Sequence, residues 1–219
     1  MSDLHLTRHL VWLMDYTAED TLFTAFPLFH NNAKYTSVCA ALEAGGTLIM
    51  EKRFPVSTFW DVTREKNITA FNYMGALLMM LFKQPERPDD ADNPVRCAYG
   101  APAPVAIQDR FQERFGMELV EVYGSTEICS AVQNQLGVPH PRGSCGRPSP
   151  LYEIEIHDEH GHRCPPDVEG EIVVRPLQPH IMVEEYVGNP EASLKAFSGL
   201  WFHTGDRGRE SADGWFTFV

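Results

Sequence analysis

The sequence predicts an α/β fold: a doubly wound, largely parallel sheet with helices on both faces, followed by a small, barrel-like β subdomain. Two observations support this prediction. In the first two thirds of the chain, short apolar runs typical of buried strands alternate with amphipathic helical patterns. In the last third, short alternating strands and frequent prolines replace that order. We therefore expect an α/β subdomain at residues 1–138 and a β-rich subdomain at residues 139–219.

Strand and helix patterns follow one another regularly in the first subdomain. In chain order, the predicted elements are strands at 22–26, 46–50, 68–74, 95–100 and 117–124, and helices at 33–45, 56–67 and 101–116. Gly45 suits the end of the first helix, and Ser57 is the predicted N-cap of the second. In the third helix, Pro104 suits the first turn and Gly116 the stop. The apolar stripe predicted to face the core consists of Val105, Ile107, Phe111 and Phe115.

The β-rich subdomain is predicted from three short segments. LYEIEIHDEHGH at 151–162 alternates apolar and polar residues into a turn, and GEIVVRP at 170–176 and GWFTFV at 214–219 are further strands.

Composition excludes several classes of protein. The 30 acidic and 18 basic residues give a formal net charge of −12, which opposes non-specific nucleic-acid binding. The most apolar run, at 74–82, is far shorter than a membrane span, and no secretion signal is visible. The five cysteines form no CxxC pair, so reduced thiols in the cytoplasm are the simplest interpretation. No GxxxxGK phosphate loop and no GxSxG elbow is present.

Three polar segments follow predicted strands: PLFHNNA at 27–33, YGAPAP at 99–104 and YGSTE at 123–127. Ligands of open parallel sheets bind at the carboxyl ends of the strands, where such loops converge. We therefore expect all three segments to open at one edge of the sheet.

The YGSTE segment contains the groups that a magnesium nucleotide needs. Glu127 could be the single carboxylate that Mg²⁺ usually takes from a protein, and Ser125 and Thr126 offer hydroxyl donors to phosphate oxygens. Gly124 would let the backbone come close, and Tyr123 offers a flat face for a base. An ordinary turn remains the alternative, since Ser and Thr in loops mostly cap and close turns.

Two further segments have a functional and an ordinary interpretation. Asp206, in FHTGDRGRESADGW, could accept bonds from two ribose hydroxyls or could simply close an Asx-turn. His30 could act as a general base, an orienting group or a gate, although a loop histidine is more often just hydrogen-bonded. The histidines of HDEHGHRC suit a turn between two strands better than a metal site.

Taken together and in order, these motifs resemble the AMP-forming acyl-CoA synthetases of the adenylate-forming superfamily. The resemblance rests on PLFH, YGAPAP with a helix ending in RFG, VEVYGSTE, GSCGRPSP with GEIVVR, and WFHTGDRG with DGWFTF. They cover nearly the whole chain and look most like the crotonobetaine/carnitine-CoA ligase type.

The resemblance implies a role for each matching residue. Gly100, Ala101 and Pro102 would lie along the adenine ring with Tyr123 beside it, in a nucleotide site that includes Gly124 and Ser125. Thr126 would hold a phosphate, Glu127 would bind magnesium, and Asp206 would bind the ribose hydroxyls. His30, Asn31, Met74 and Gly75 would border the carboxylate substrate, and the catalytic residues would be Thr126, Glu127 and His30.

The implied reaction has two steps and uses ATP, Mg²⁺ and CoA. A small-molecule carboxylic acid attacks the α-phosphate of ATP to give an acyl-adenylate and pyrophosphate, and the CoA thiol then displaces AMP. The family's phosphate loop and its C-terminal lid domain are expected upstream and downstream of this sequence, so little activity is expected from the chain alone. Arg207 also stands where the family usually has an apolar residue.

Two other interpretations stay open. One is a truncated nucleotide- or acyl-binding module without catalysis, and the other is a structural fragment without a ligand. The missing segments would leave apolar surface exposed, so a homo-oligomer is a further expectation.

Overall fold

A computed structural model describes residues 2–219, with side chains from residue 4 onward. The described chain packs into two compact units. The first, the α/β unit, contains residues 3–121 and 135–139, and the second, the β unit, contains residues 122–134 and 140–219. The subdomain boundary proposed from the sequence, at residue 138, stays a prediction.

The α/β unit is built on parallel strands in the order β2-β1-β3-β4-β5. The strands are β1 (Thr21–Thr24), β2 (Thr47–Met50), β3 (Ala70–Met74), β4 (Cys97–Ala101) and β5 (Glu118–Ser125), of which residues 118–121 belong to this unit. The helices are α1 (Ser2–Leu13), α2 (Asn31–Ala33), α3 (Ala40–Ala44), α4 (Phe59–Lys66), α5 (Gly75–Phe82) and α6 (Gln108–Phe115), with a π-helix at Lys34–Cys39 between α2 and α3.

The helix boundaries partly agree with the sequence. Gly45 and Gly116 end α3 and α6 in the left-handed conformation, with φ of 73° and 65°, as predicted. The predicted N-cap of α4 is wrong, because Thr58 occupies that position and its side chain does not cap the helix. Val105 is also misassigned, since its side chain is 52% exposed, whereas Phe111 and Phe115 are fully buried.

An aromatic cluster forms the core of the α/β unit. The indole of Trp60 stacks on Phe115 with ring centroids 4.2 Å apart, and Phe59 meets Phe71 edge-on at 4.9 Å. Phe23 of β1 joins the same cluster, so helices α4 and α6 are both held against the sheet by buried rings.

The β unit begins with the second half of β5. This half pairs antiparallel with β6 (Cys129–Gln133), which pairs with β7 (Arg147–Pro148). A second, antiparallel sheet has the order β10-β11-β9-β8, with β12 beside β11. Its elements are β8 (Tyr152–His157), β9 (Gly170–Pro176), β10 (Phe197–Ser198), β11 (Trp201–Glu210) and β12 (Phe216–Phe218), and the helix α7 (Pro190–Ala196) precedes β10.

The predicted fold class is confirmed. A mainly parallel sheet carries helices, and a curled antiparallel sheet forms the β-rich part. Among residues 2–219, no helix combines the length and the apolar character that crossing a bilayer requires.

Candidate nucleotide site

The YGSTE segment lies in a tight hairpin. Strand β5 runs through Ser125, which pairs with Cys129 of β6, and Thr126 lies in the turn between the strands. The register shifts between Tyr123 and Gly124, which marks an irregularity in the ladder. The sequence interpretation of an open loop at a strand end is therefore corrected, because the main chain continues into an antiparallel partner.

Gly124 is required by this hairpin. A Cβ atom built on it would lie 1.5 Å from the carbonyl oxygen of Cys129, so no other residue fits without moving β6. The neighbouring strand thus approaches Gly124 closely, and the assignment of this glycine to a nucleotide site stays a prediction.

The carboxylate of Glu127 is held by two hydroxyls. Ser125 Oγ donates to Oε2 at 2.7 Å, and the phenol of Tyr186 donates to Oε1 at 3.1 Å. The main chain of Glu127 is also engaged, because its carbonyl accepts from Val183 N at 2.8 Å. Burial by itself would raise the pKa of Glu127, but hydrogen bonds from Ser125, its own backbone and Tyr186 outweigh burial and lower that pKa. Both oxygens of Glu127 are therefore oriented by hydrogen bonds that favour the charged form.

Asp206 is bound to Tyr123 within the β unit. The phenol of Tyr123 donates to Oδ2 of Asp206 at 2.9 Å, and the backbone N–H of Asp206 donates to Thr204 Oγ1 at 3.1 Å. Tyr123 is buried, and its ring stacks on that of Phe218 with centroids 5.8 Å apart. Burial, together with the charge of Asp206, raises the pKa of Tyr123, so the phenol stays a hydrogen-bond donor.

A bulge in β11 places Asp206. The pairing of β11 with β9 shifts between His203 and Arg207, and Gly205 inside the bulge has φ of 75°. Glu171 of β9 bridges the bulge: Oε2 lies 2.9 Å from His203 Nδ1, and Oε1 accepts from Gly205 N at 3.0 Å. Thr204 is tied to the same strand, since its hydroxyl donates to the carbonyl of Ile172 at 2.7 Å.

The donor set of the hairpin fits a magnesium nucleotide. No group of three or more His, Cys, Asp or Glu side chains suited to a metal occurs in the part of the chain that the structure describes. Mg²⁺ bound with a nucleotide does not need such a group, because phosphates and water complete its shell around one or two carboxylates. Glu127 supplies one half-buried carboxylate, and Thr126 is exposed beside it in the turn.

The other predicted site residues lie in the α/β unit. His30 is exposed and precedes α2, whose first residue is Asn31, and it lies in the connection that follows the carboxyl end of β1 at Thr24. Met74 is 49% exposed at the end of β3, and α5 begins at the buried Gly75. Because β1 and β3 are neighbouring parallel strands, their carboxyl ends lie at the same edge of the sheet.

The glycines of this edge are required by packing. A Cβ atom on Gly75 would lie 2.7 Å from the carbonyl oxygen of Pro102, so this glycine brings the start of α5 against the segment after β4. On Gly100, a Cβ atom would lie 2.1 Å from the carbonyl oxygen of Tyr73 in β3. Ala101 pairs with Met74 at the end of the β3–β4 ladder.

Several contacts of the site were missed from the sequence. Tyr186 and Glu171 bind Glu127 and the Asp206 bulge, respectively, but neither lies in a spacing pattern that points to them. Glu121, a buried carboxyl of the α/β unit and not a contact of these residues, was also not singled out, although a carboxylate in an apolar strand is a usable signal.

A family model and a curated relative both match most of this chain. A family model described as AMP-binding enzyme matches residues 3–184. The crotonobetaine/carnitine–CoA ligase of Citrobacter koseri is 30% identical over 211 residues, covering 95% of this chain and 41% of that protein. The chain thus spans about two fifths of the length of this curated relative.

Solved structures agree with the fold. ATP-bound MatB from Rhodopseudomonas palustris has a TM-score of 0.89 at 21% identity, over 100% of this chain and 43% of that chain. O-succinylbenzoate coenzyme A synthetase (MenE) from Bacillus subtilis, in complex with ATP and magnesium ion, has a TM-score of 0.85 at 24% identity, over 100% of this chain and 45% of that one. Because the family model matches most of the sequence, the chain belongs to the AMP-binding enzyme family.

Proposed function

We propose that this chain is the adenylate-forming part of an ATP-dependent acyl-CoA ligase. The observation that supports the proposal most is the pairing of Asp206 with Tyr123, which orients the carboxylate that the family resemblance assigns to the ribose hydroxyls. The two relatives of known structure named above are described as bound to ATP, and the Citrobacter koseri relative is named as a CoA ligase.

The reaction proposed for the whole protein proceeds in two displacements. A carboxylate oxygen of the acid attacks the α-phosphorus of ATP and expels pyrophosphate, which leaves an acyl-adenylate. The sulfur of CoA then attacks the acyl carbon, AMP leaves with the electrons of the acyl–oxygen bond, and the thiol proton passes to solvent. Such chemistry depends on positioning and on charge stabilisation more than on a protein nucleophile.

Asp206 is proposed to bind the ribose. An ionised carboxylate offers about four lone-pair sites. After Asp206 accepts from Tyr123, sites for both ribose hydroxyls remain on the same group. The buried, hydrogen-bonded Tyr123 then orients Asp206 as well as offering its ring beside the adenine.

Thr126 and Glu127 are proposed to act on the phosphates. The hydroxyl of Thr126, in the exposed hairpin turn, would donate to a phosphate oxygen, and Glu127 would bind magnesium. When bound, magnesium would neutralise charge on the phosphate oxygens. Ser125 keeps Glu127 oriented through its 2.7 Å hydrogen bond.

The remaining assignments are proposals of the same kind. Gly100, Ala101 and Pro102 are assigned to adenine, and His30, Asn31, Met74 and Gly75 to a small-molecule carboxylic acid. A cytoplasmic enzyme is proposed, since its reaction consumes ATP and CoA. Low activity of the chain alone and self-association stay predictions.

Calorimetric titration with a non-hydrolysable acyl-adenylate mimic tests the proposal. We expect the wild-type chain to bind it, and Asp206→Ala and Thr126→Ala each to weaken binding by roughly tenfold, the loss of one or two charge-assisted hydrogen bonds. Thr58→Ala, at an exposed position before α4 where the side chain makes no capping bond, serves as a surface control. No binding by a chain that unfolds cooperatively would contradict the proposal.

A further inference from the structure

Tyr186 connects an otherwise exposed segment to Glu127. The residues on both sides of it, Glu185 and Val187, are exposed, and Val187 is 91% exposed. Tyr186 itself is half-buried, and its hydroxyl donates to Glu127 Oε1 at 3.1 Å. The segment thus turns one aromatic side chain inward, towards a carboxylate.

The backbone around Tyr186 is held in place independently of its hydroxyl. Tyr186 N donates to Ser193 Oγ at 2.8 Å, and Ser193 Oγ donates to the carbonyl of Asn189 at 3.1 Å. Asn189 caps α7 by accepting from Ala192 N at 3.1 Å. Tyr186 is therefore fixed by the first turn of a capped helix.

The two oxygens of Glu127 are held by different parts of the chain. Ser125, in the same hairpin, binds Oε2, whereas Tyr186, far away in sequence, binds Oε1. Ser125 alone leaves the carboxylate free to rotate about its single contact. The second hydroxyl removes that freedom, and lone pairs on both oxygens remain for a further ligand.

We propose that Tyr186 is a positioning residue that fixes the Glu127 carboxylate for a magnesium nucleotide. The inference rests on the proposed function, because it concerns the same carboxylate. Hydroxyls that orient a metal-binding carboxylate raise metal affinity by reducing the disorder that binding must remove, and their loss typically costs tenfold or more in affinity.

If Tyr186 only held the chain in place, Tyr186→Phe should have the same effect as the loss of another hydroxyl that holds this part of the chain. Two other bonds hold the residues shortly before Tyr186. Tyr152 OH donates to the carbonyl of Ile181 at 2.6 Å, and Val183 N donates to the carbonyl of Glu127 at 2.8 Å. Tyr152→Phe therefore removes a tyrosine hydroxyl that anchors the segment without touching the Glu127 carboxylate. It is the matched control for Tyr186→Phe.

The test compares magnesium-dependent and magnesium-free binding by calorimetry. ATP is titrated with Mg²⁺ and again with a chelator, and the ratio of these two affinities is the gain from Mg²⁺. AMP is titrated in the presence of the chelator as the magnesium-free reference. In Tyr186→Phe we expect the affinity for ATP with Mg²⁺ to fall about tenfold. The affinity for AMP should stay within twofold of wild type. In Tyr152→Phe the ratio of the two affinities should be unchanged.

The inference is overturned if Tyr186→Phe weakens AMP and Mg·ATP equally, or if it weakens neither. Glu127→Gln separates this failure from failure of the proposed function. If Glu127→Gln abolishes the increase in ATP affinity that Mg²⁺ causes, while Tyr186→Phe retains that increase, only the role of Tyr186 is refuted. If the wild-type chain shows no gain from Mg²⁺, or Glu127→Gln retains it, the metal assignment and the inference both fail.

Discussion

Glu121 is a buried carboxyl with a hydrogen-bond partner for only one of its two oxygens. It is 7% exposed and accepts one bond from the backbone of Ala103, while Oε2 has no partner. Burial, opposed by the Ala103 bond, raises the pKa of Glu121 to about 7. The folded protein therefore tends to keep this group protonated below neutral pH.

Glu121 should make stability depend on pH. In the unfolded chain a glutamate releases its proton near pH 4.3, so between about pH 4.3 and 7 the folded state binds more protons and its stability falls as pH rises. We expect the free energy of unfolding to drop by about 2 kcal/mol more in wild type than in Glu121→Gln between pH 5 and 8. Urea denaturation at several pH values measures this difference.

The control for this prediction is Glu118→Gln, which removes a carboxylate on the same strand that accepts from Gly137 N at 2.9 Å. It should leave the wild-type pH dependence between pH 5 and 8 in place. Equal pH slopes in wild type and Glu121→Gln would contradict the account of Glu121.

At the scale of elements, the bulge of β11 is the feature that positions Asp206. The carboxylate of Glu171 contacts the ring of His203 and accepts from the backbone N–H of Gly205, and the Thr204 hydroxyl donates to the carbonyl of Ile172. The bulge thus has three attachments to β9. Loss of one should loosen the bulge without unfolding the sheet, since the β9–β11 ladder pairs on both sides of it.

Glu171→Ala should therefore weaken AMP binding more than it weakens the fold. We expect a three- to tenfold loss of affinity, roughly the effect of one lost hydrogen bond, and about 1 kcal/mol of destabilisation. Calorimetry and urea denaturation measure the two effects. Glu153→Ala, which removes a carboxylate 2.6 Å from Arg175 Nε in the same sheet, should spare AMP binding. Unchanged AMP affinity in Glu171→Ala would refute the role of the bulge.

Element boundaries were predictable where local chemistry sets them. Gly45 and Gly116 end their helices because the left-handed conformation is accessible to glycine. The predicted helix at 33–45 lies in a helical stretch, but its first half is a π-helix at Lys34–Cys39. Asn72 binds the side chain of Ser37 at 2.6 Å and also bonds the carbonyl of Asn32. Such long-range contacts from β3 leave no signal in helical periodicity.

At the scale of the whole molecule, the order of strands and helices predicted the fold class, because alternation of the two patterns demands a parallel sheet. The hairpin at 123–133 was not predicted, since an apolar strand followed by polar residues suits a loop equally well. The residue that could have indicated the hairpin is Gly124, because the close packing of Cys129 against it requires a glycine. The sequence interpretation assigned this glycine to the nucleotide site instead. Motif resemblance identified the family, whereas the contacts that orient its residues come from segments far away in sequence.

The measurement that tests the central claim most directly compares AMP with 2′,3′-dideoxy-AMP in wild type and Asp206→Ala. If Asp206 binds the ribose hydroxyls, wild type should prefer AMP by roughly tenfold or more, and the preference should vanish in Asp206→Ala, because both changes remove the same bonds. Cooperative unfolding of both chains verifies that they are folded. If Asp206→Ala discriminates between the two nucleotides as strongly as wild type does, Asp206 does not bind the ribose, and the proposed nucleotide site is wrong.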